Sequence, residues 1–162
     1  MIKYLISFLF LFSFFSSCHK YTQAEREEKR RAEAELQSVL SLASSREIPP
    51  IDFEFNSAKL KPSSYPLLDK VAEILLKYPR LKLIVEGHTD DVGDADYNYW
   101  LSMQRADSVK TYLVKKGIYP DFIRIRGYGE SRPIVKENSQ KARDLNRRVE
   151  FKLTGRSWET VF

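Results

Sequence analysis

Four short runs between Ile51 and Leu153 alternate apolar with charged residues, and this constrains the fold more than any other feature of the chain. Ile51-Asp-Phe53-Glu-Phe55 sets the pattern; Leu81-Lys-Leu83-Ile-Val85, Ile123-Arg-Ile125-Arg126 and Val149-Glu-Phe151-Lys-Leu153 repeat it. Successive side chains of a strand point to opposite faces, so each run reads as a half-buried β-strand. Asp52 and Glu54, Lys82 and Glu86, Arg124 and Arg126, and Glu150 and Lys152 occupy the off-face positions. A sheet buried on both faces would show near-continuous apolar runs instead. The expectation is therefore two layers, with one sheet face covered and the other largely wet.

The segments between the runs supply the covering layer. From Pro66 to Tyr78, residues Leu67, Val71, Ile74, Leu75 and Tyr78 recur at helical spacing, and Pro79 ends the pattern. Tyr97 to Lys116 reads as a second helix with Ser102, Ala106, Val109 and Leu113 on its inner stripe and Gly117 at its C-cap. The order is βαβαββ: an α/β (α+β) two-layer sandwich with both helices on one face of a mixed sheet. Strand–helix–strand units make parallel neighbours, and the last pair can run antiparallel. The domain spans residues 48–154, and residues 155–162 form a tail outside the pattern.

The chain's start fixes a compartment. Lys3 precedes an apolar run from Tyr4 to Phe15 that is shorter than the roughly 20 residues a membrane span needs, which reads as a secretory signal over residues 1–17. Ser16-Ser17-Cys18 follows, and Cys18 is the sole cysteine, so no intramolecular disulfide can form. This layout resembles the lipobox of bacterial lipoproteins, with Phe15 where Leu is usual. The resemblance implies that Cys18 is lipidated and becomes the mature N-terminus; an ordinary signal peptide or an uncleaved anchor is the alternative. Residues 18–47 then read as a charged helical spacer of about 35–40 Å. Its acid-before-base pairs are Glu25 with Lys29 and Glu27 with Arg31. A thin stripe of Ala32, Leu36, Val39 and Ala43 leaves a partner-docking helix as the other reading, and Pro49-Pro50 breaks the segment.

The chemistry gathers at Gly87-His88-Thr89-Asp90, Asn98, Leu101-Ser102 and Arg105-Ala106. Asp90 can receive an amine, and Arg105 can offer a planar fork of donors to a carboxylate. On a helix, Asn98 and Arg105 project within about 20° of each other. A ligand bearing both an ammonium and a carboxylate suits that set, although Asp90 alone could cap a turn and Arg105 alone could be an exposed helix arginine. Asp90, Asp91, Asp94 and Asp96 around Gly93 hint at a calcium loop, but Val92 and Leu101 stand where the EF-hand pattern needs ligands. His88 has only His19 as a fellow histidine, so no metal-ligand spacing exists. The mature chain has no free cysteine nucleophile and no Gly-x-Ser-x-Gly elbow, so a wall hydrolase lacks a catalytic set and the expectation is no enzyme.

Phe53-x-Phe55-x-Ser57-Ala58-x-Leu60, Gly87-His-Thr-Asp90, Asn98-x-x-Leu101-Ser102-x-x-Arg105-Ala106, Gly127-Tyr-Gly129-Glu130 and Asn146-Arg-Arg148-Val149-Glu150 together resemble the OmpA-like peptidoglycan-binding domain. With a lipobox and no barrel or span before the domain, the chain resembles the family's peptidoglycan-associated lipoprotein (Pal) branch. The loop between Ile134 and Asn146 is longer than in the shortest members. The resemblance implies binding to the free end of meso-diaminopimelate in peptidoglycan stem peptides, with Asp90 on the ammonium and Arg105 on the carboxylate. Asn98, Leu101 and Asn56 would line the groove, Thr89 would shape the loop, and Arg147 would brace the site from the last strand.

The same resemblance implies a non-catalytic tether in the outer membrane's inner leaflet, with the domain in the periplasm. No cofactor is implied, and a Tol-type system stands among the envelope partners that no residue here selects. Net charge of +5 falls to +4 when Lys3 leaves with the signal. The basic cluster Arg143, Arg147, Arg148, Lys152 and Arg156 could meet anionic wall polymer or phospholipid, while the compartment excludes nucleic acid. The competing reading is an envelope adaptor that docks proteins through Leu36 to Ala43 and uses the wall as a foothold.

Overall fold

The computed structural model describes residues 22–155. The signal run, Cys18 and the tail beyond Gly155 lie outside the described residues. Three strands make the sheet: β1 (Lys82–Gly87), β2 (Ile123–Gly127) and β3 (Val149–Thr154), in the order β2-β1-β3. β1 pairs parallel with β2, Leu83 facing Ile123, and antiparallel with β3, Leu83 facing Leu153. Helices α1 (Gln23–Ser44), α2 (Tyr65–Lys77) and α3 (Ala95–Lys115) are joined by a short α4 (Gln140–Asn146).

The alternating pattern places the core as expected. Leu83, Val85, Ile123, Phe151 and Leu153 face the helices, where they meet Leu68, Val71, Leu75, Val109 and Leu113. Burying each such side chain contributes about 1.5–3 kcal/mol. The mixed two-layer α/β architecture is thus the one the periodicity implies.

The first of the four runs does not join the sheet. Ile51 to Phe55 makes a single bridge, Phe53 to Leu60, and folds back on itself. Buried backbone groups need partners, and those of this segment find them locally. The Asp52 amide donates to Ser64 Oγ at 2.8 Å, Ser64 Oγ donates to Asp52 O at 3.0 Å, and the Glu54 amide donates to Lys59 O at 2.9 Å. The turn passes through Asn56 at φ 47, a left-handed conformation that asparagine tolerates better than most residues.

The expected free spacer lies against the domain. Thr22 and Glu25 form a capping box that starts α1, so Glu25 serves the cap while Lys29 reaches Glu33 at 3.3 Å. The expected Glu27–Arg31 pair is present at 3.2 Å. Ala32 and Leu36 are buried within the common core, and Val39 and Leu40 pack at its edge. Lys77 Nζ and Tyr78 Oη both donate to Glu35 Oε1, at 2.6 and 2.7 Å. Four apolar positions suffice to dock a helix whose composition reads as solvated. The stripe that the alternative, partner-docking reading invoked therefore packs against the domain's own core.

The outer face of the sheet is less wet than its charges imply. Ile84, Glu86 and His88 on the central strand and just beyond it are almost fully buried. Flanking side chains cover them: Lys152 Nζ reaches Glu86 Oε2 at 2.5 Å, and Arg126 Nη1 lies 3.6 Å from Glu86 Oε1. Long charged side chains shield the middle strand with their stems while their heads stay wet.

Candidate functional site

Two glycines decide where the site forms. Gly87 and Gly127 face each other at the carboxyl ends of the parallel pair β1–β2. A Cβ on Gly87 would sit 2.1 Å from the Ser102 carbonyl oxygen, and one on Gly127 2.7 Å from the Met103 amide. Only bare backbone lets α3 pass this close, and the approach sets residues 98–105 over the strand ends. Ser102 Oγ receives the Gly129 amide at 2.9 Å, drawing the loop after β2 onto the same spot. Ligands of open α/β sheets bind off the carboxyl ends of such strands.

The loop from His88 to Asp94 is held throughout. The His88 and Thr89 amides donate to Arg148 O and Gly129 O, each at 3.0 Å. Asp90 Oδ1 accepts the Val92 amide at 3.1 Å, and Asp94 caps α3 by accepting the Tyr97 amide at 2.9 Å. Asn98, expected to line the groove, is buried and points at this loop. Its Nδ2 donates to Val92 O at 3.1 Å and to Glu130 Oε2 at 2.8 Å. It positions the loop, and Glu130, which residue chemistry alone gave no role, is its anchor. Leu101 is buried on the inner side of α3, and Thr89 is buried with its Oγ1 unpartnered.

Asp90 and Arg105 come together with Arg147, and Arg147 takes Asp90 as its partner. Arg147 Nη1 donates to Asp90 Oδ2 at 2.5 Å, while its other end holds Asp144. Arg147 is the C-cap of α4 rather than part of the last strand; the polar loop hides this seven-residue helix, which Ser139 caps. Arg143 on the same helix reaches Asp91 at 3.0 Å, so α4 clamps the acidic loop at two points. Asp90, Asp91 and Asp94 thus each hold a partner that fixes the loop.

Arg105 is 8% exposed. Its Nε donates to Ser57 O at 3.1 Å, and its guanidinium lies 5.1 Å from the Phe53 ring centre. No carboxylate among the described residues pairs with its Nη groups. Burial, and then the nearby Arg147 charge, pull its pKa below the usual arginine range, with Asp90 opposing. Asn56 lies on the same turn and accepts the Tyr97 hydroxyl at 3.0 Å.

Beside the cleft, burial pushes the His88 pKa down to about 4, aided by Arg148, so the ring is neutral near pH 7. Glu86, His88 and Glu150 bring ligand atoms within 4.8 Å of one another. Lys152 and Arg126 already neutralise Glu86, and Arg148 Nη2 sits 2.6 Å from Glu150 Oε1. The cluster is an ion-pair network carrying three cations, which opposes a further one.

Fold and site define an α/β module that gathers Asp90, Arg105 and Arg147 beside the carboxyl ends of its parallel strands. The chain belongs to the OmpA family, whose pattern matches residues 52–147. It is 43% identical over 100 residues to outer membrane porin F of Pseudomonas fluorescens, covering 62% of this chain and 31% of that one. It is 37% identical over 115 residues to the peptidoglycan-associated lipoprotein of Pseudomonas aeruginosa, covering 71% of this chain and 68% of the relative. Among solved structures, the C-terminal domain of Helicobacter pylori MotB superposes with a TM-score of 0.59 at 29% identity, over 66% of this chain and 84% of that one. The chain spans 29% to 53% of the length of its porin F and outer membrane protein A relatives.

Proposed function

We propose that this domain binds peptidoglycan without catalysis by gripping the free, zwitterionic end of diaminopimelate in a stem peptide. One observation carries the reading: Arg105 is buried to 8% exposure yet has no carboxylate partner among the described residues. A buried guanidinium without an anion is costly, and a ligand carboxylate would relieve that cost. It would also gain a charge-assisted, forked contact. The ammonium goes to Asp90, which keeps Arg147 because a carboxylate offers about four lone-pair directions. Leu101 and Thr89 shape the wall of the cleft, Asn98 holds the loop, and Asn56 sits at the rim.

Relatives named peptidoglycan-associated lipoprotein and peptidoglycan-binding protein ArfA support the ligand class. The lipobox-like Ser16-Ser17-Cys18 supports a lipid anchor at Cys18 in the outer membrane, with the domain in the periplasm. Acyl chains at about 0.8 kcal/mol per buried methylene would hold it there. The protein then tethers membrane to wall, and many ligand copies on one polymer raise its effective affinity.

The test is titration with a muropeptide ending in free diaminopimelate. Arg105→Ala and Asp90→Ala should each weaken binding about ten- to a hundredfold in folded protein. Unchanged affinity in both variants would move the site elsewhere. Separately, Cys18→Ser should release the protein from the membrane fraction.

A further inference from the structure

Three exposed aromatic side chains on α3 and on the turn that holds Arg105 belong neither to the core nor to the charged clamp. Phe55 is 99% exposed, Trp100 53% and Tyr97 39%. Tyr97 and Trp100 stand one turn apart on α3, with ring centres 5.7 Å apart and planes tilted by 35°. Tyr97 is fixed by its hydroxyl to Asn56, and Asn56 sits between Phe55 and the Ser57 carbonyl that holds Arg105. A single turn thus positions the guanidinium on its inner side and carries aromatic surface on its outer side. Single exposed apolar residues need no explanation, whereas a cluster bordering a polar cleft marks a binding surface.

We propose that Tyr97 and Trp100 form a platform for the sugar rings of the peptidoglycan strand. The proposal rests on the wall-binding reading and extends it from the peptide to the glycan. A pyranose ring presents a flat face of C–H groups and keeps its polar groups at the edge. Aromatic faces carry negative charge density and match such C–H faces, while Trp100 keeps its indole N–H for the sugar's rim. The short stem offers a methyl group and further carboxylates, which do not match adjacent aromatic faces.

The experiment compares two ligands on the full chain in detergent. One is the disaccharide-tripeptide ending in diaminopimelate; the other is the same tripeptide without its sugars. Wild type should bind the sugar-bearing ligand about two- to tenfold more tightly. Trp100→Ala should erase that difference and leave the affinity for the bare peptide unchanged, and Trp100→Tyr should restore part of it. Equal wild-type affinities for the two ligands would overturn the platform while leaving the clamp intact. Equal weakening of both ligands by Trp100→Ala would assign the rings to the stem peptide and overturn it too. Failure of wild type to bind either ligand would instead remove the wall-binding reading and the platform with it.

Discussion

The two ends of the sheet handle charge in opposite ways. Where β1 and β2 finish and β3 begins, charged and polar groups are drawn inward and bonded across long sequence separations. Asp90 meets Arg147, Asn98 meets Glu130 and Arg105 meets Ser57. At the other end, the first turns of α1 lie beside Arg80, Leu81 and Gly155. There the charges are short-range helix pairs such as Glu27–Arg31, open to water. Exposed pairs of that kind contribute little and tolerate exchange, whereas buried polar groups demand defined partners. In the proposed function the first is the recognising end and the second the attaching end. α1 begins at the attaching end, so its N-terminus and the Asp90–Arg105 site lie at opposite poles of the domain. The domain, rather than a free helix, then supplies the separation.

The largest expected effect comes from disturbing the backbone contact that builds the recognising end. Gly87→Val places a Cβ 2.1 Å from the Ser102 carbonyl, and neither strand nor helix backbone can yield cheaply. It should cost several kcal/mol in urea unfolding and abolish the cleft. Wild-type stability in the Gly87→Val variant would show that α3 does not need this approach.

Arg105→Leu probes the same end with a smaller and differently signed effect. Removing a buried charge without a carboxylate partner should leave stability nearly unchanged or raise it by about 1 kcal/mol, while muropeptide binding is lost. Thermal unfolding with and without ligand checks both halves. A marked loss of stability in the free protein would mean that Arg105 is structural. It would then not be a waiting ligand group.

His88 makes the recognising end sensitive to acid. Its pKa is about 4 when folded and near 6.5 when unfolded, so below pH 6.5 the unfolded chain binds a proton that the folded chain refuses. Stability is full above pH 6.5 and falls as pH drops toward 4, by about 2 kcal/mol at pH 5. His88→Phe should flatten the pH 5–7 segment of the stability curve. Carboxylates such as Glu150, held below their usual range by Arg148 against an opposing burial effect, govern the region below.

These effects also separate what the sequence made legible from what it did not. The core faces of Leu83, Val85, Phe151 and Leu153 followed from period two, because a pleat admits no other assignment. The same period misread Ile51 to Phe55, since a turn held by Ser64 satisfies the backbone as well as a neighbouring strand would. Asp90 and Arg105 could be singled out by chemistry and helical spacing. Asp90's partner could not, because Arg147 lies 57 residues away at the end of a helix hidden in a polar loop. The loop and Glu130 contacts of Asn98 were hidden for a related reason: spacing gives a helix face, but not which loop folds over it.

The smallest expected effect tests the attaching end. Glu35 ties α1 to α2, and its two bonds from Lys77 and Tyr78 hold its carboxyl below the usual range. Because the pair is open to water, Glu35→Gln should lower the melting temperature by only about one or two degrees. It should also speed amide exchange selectively along α1 and leave muropeptide affinity unchanged. Local opening of α1 without loss of binding is what two independent ends require. If Glu35→Gln weakened ligand binding as much as Arg105→Leu, the two ends would be coupled through α2, and α1 would be part of the receptor.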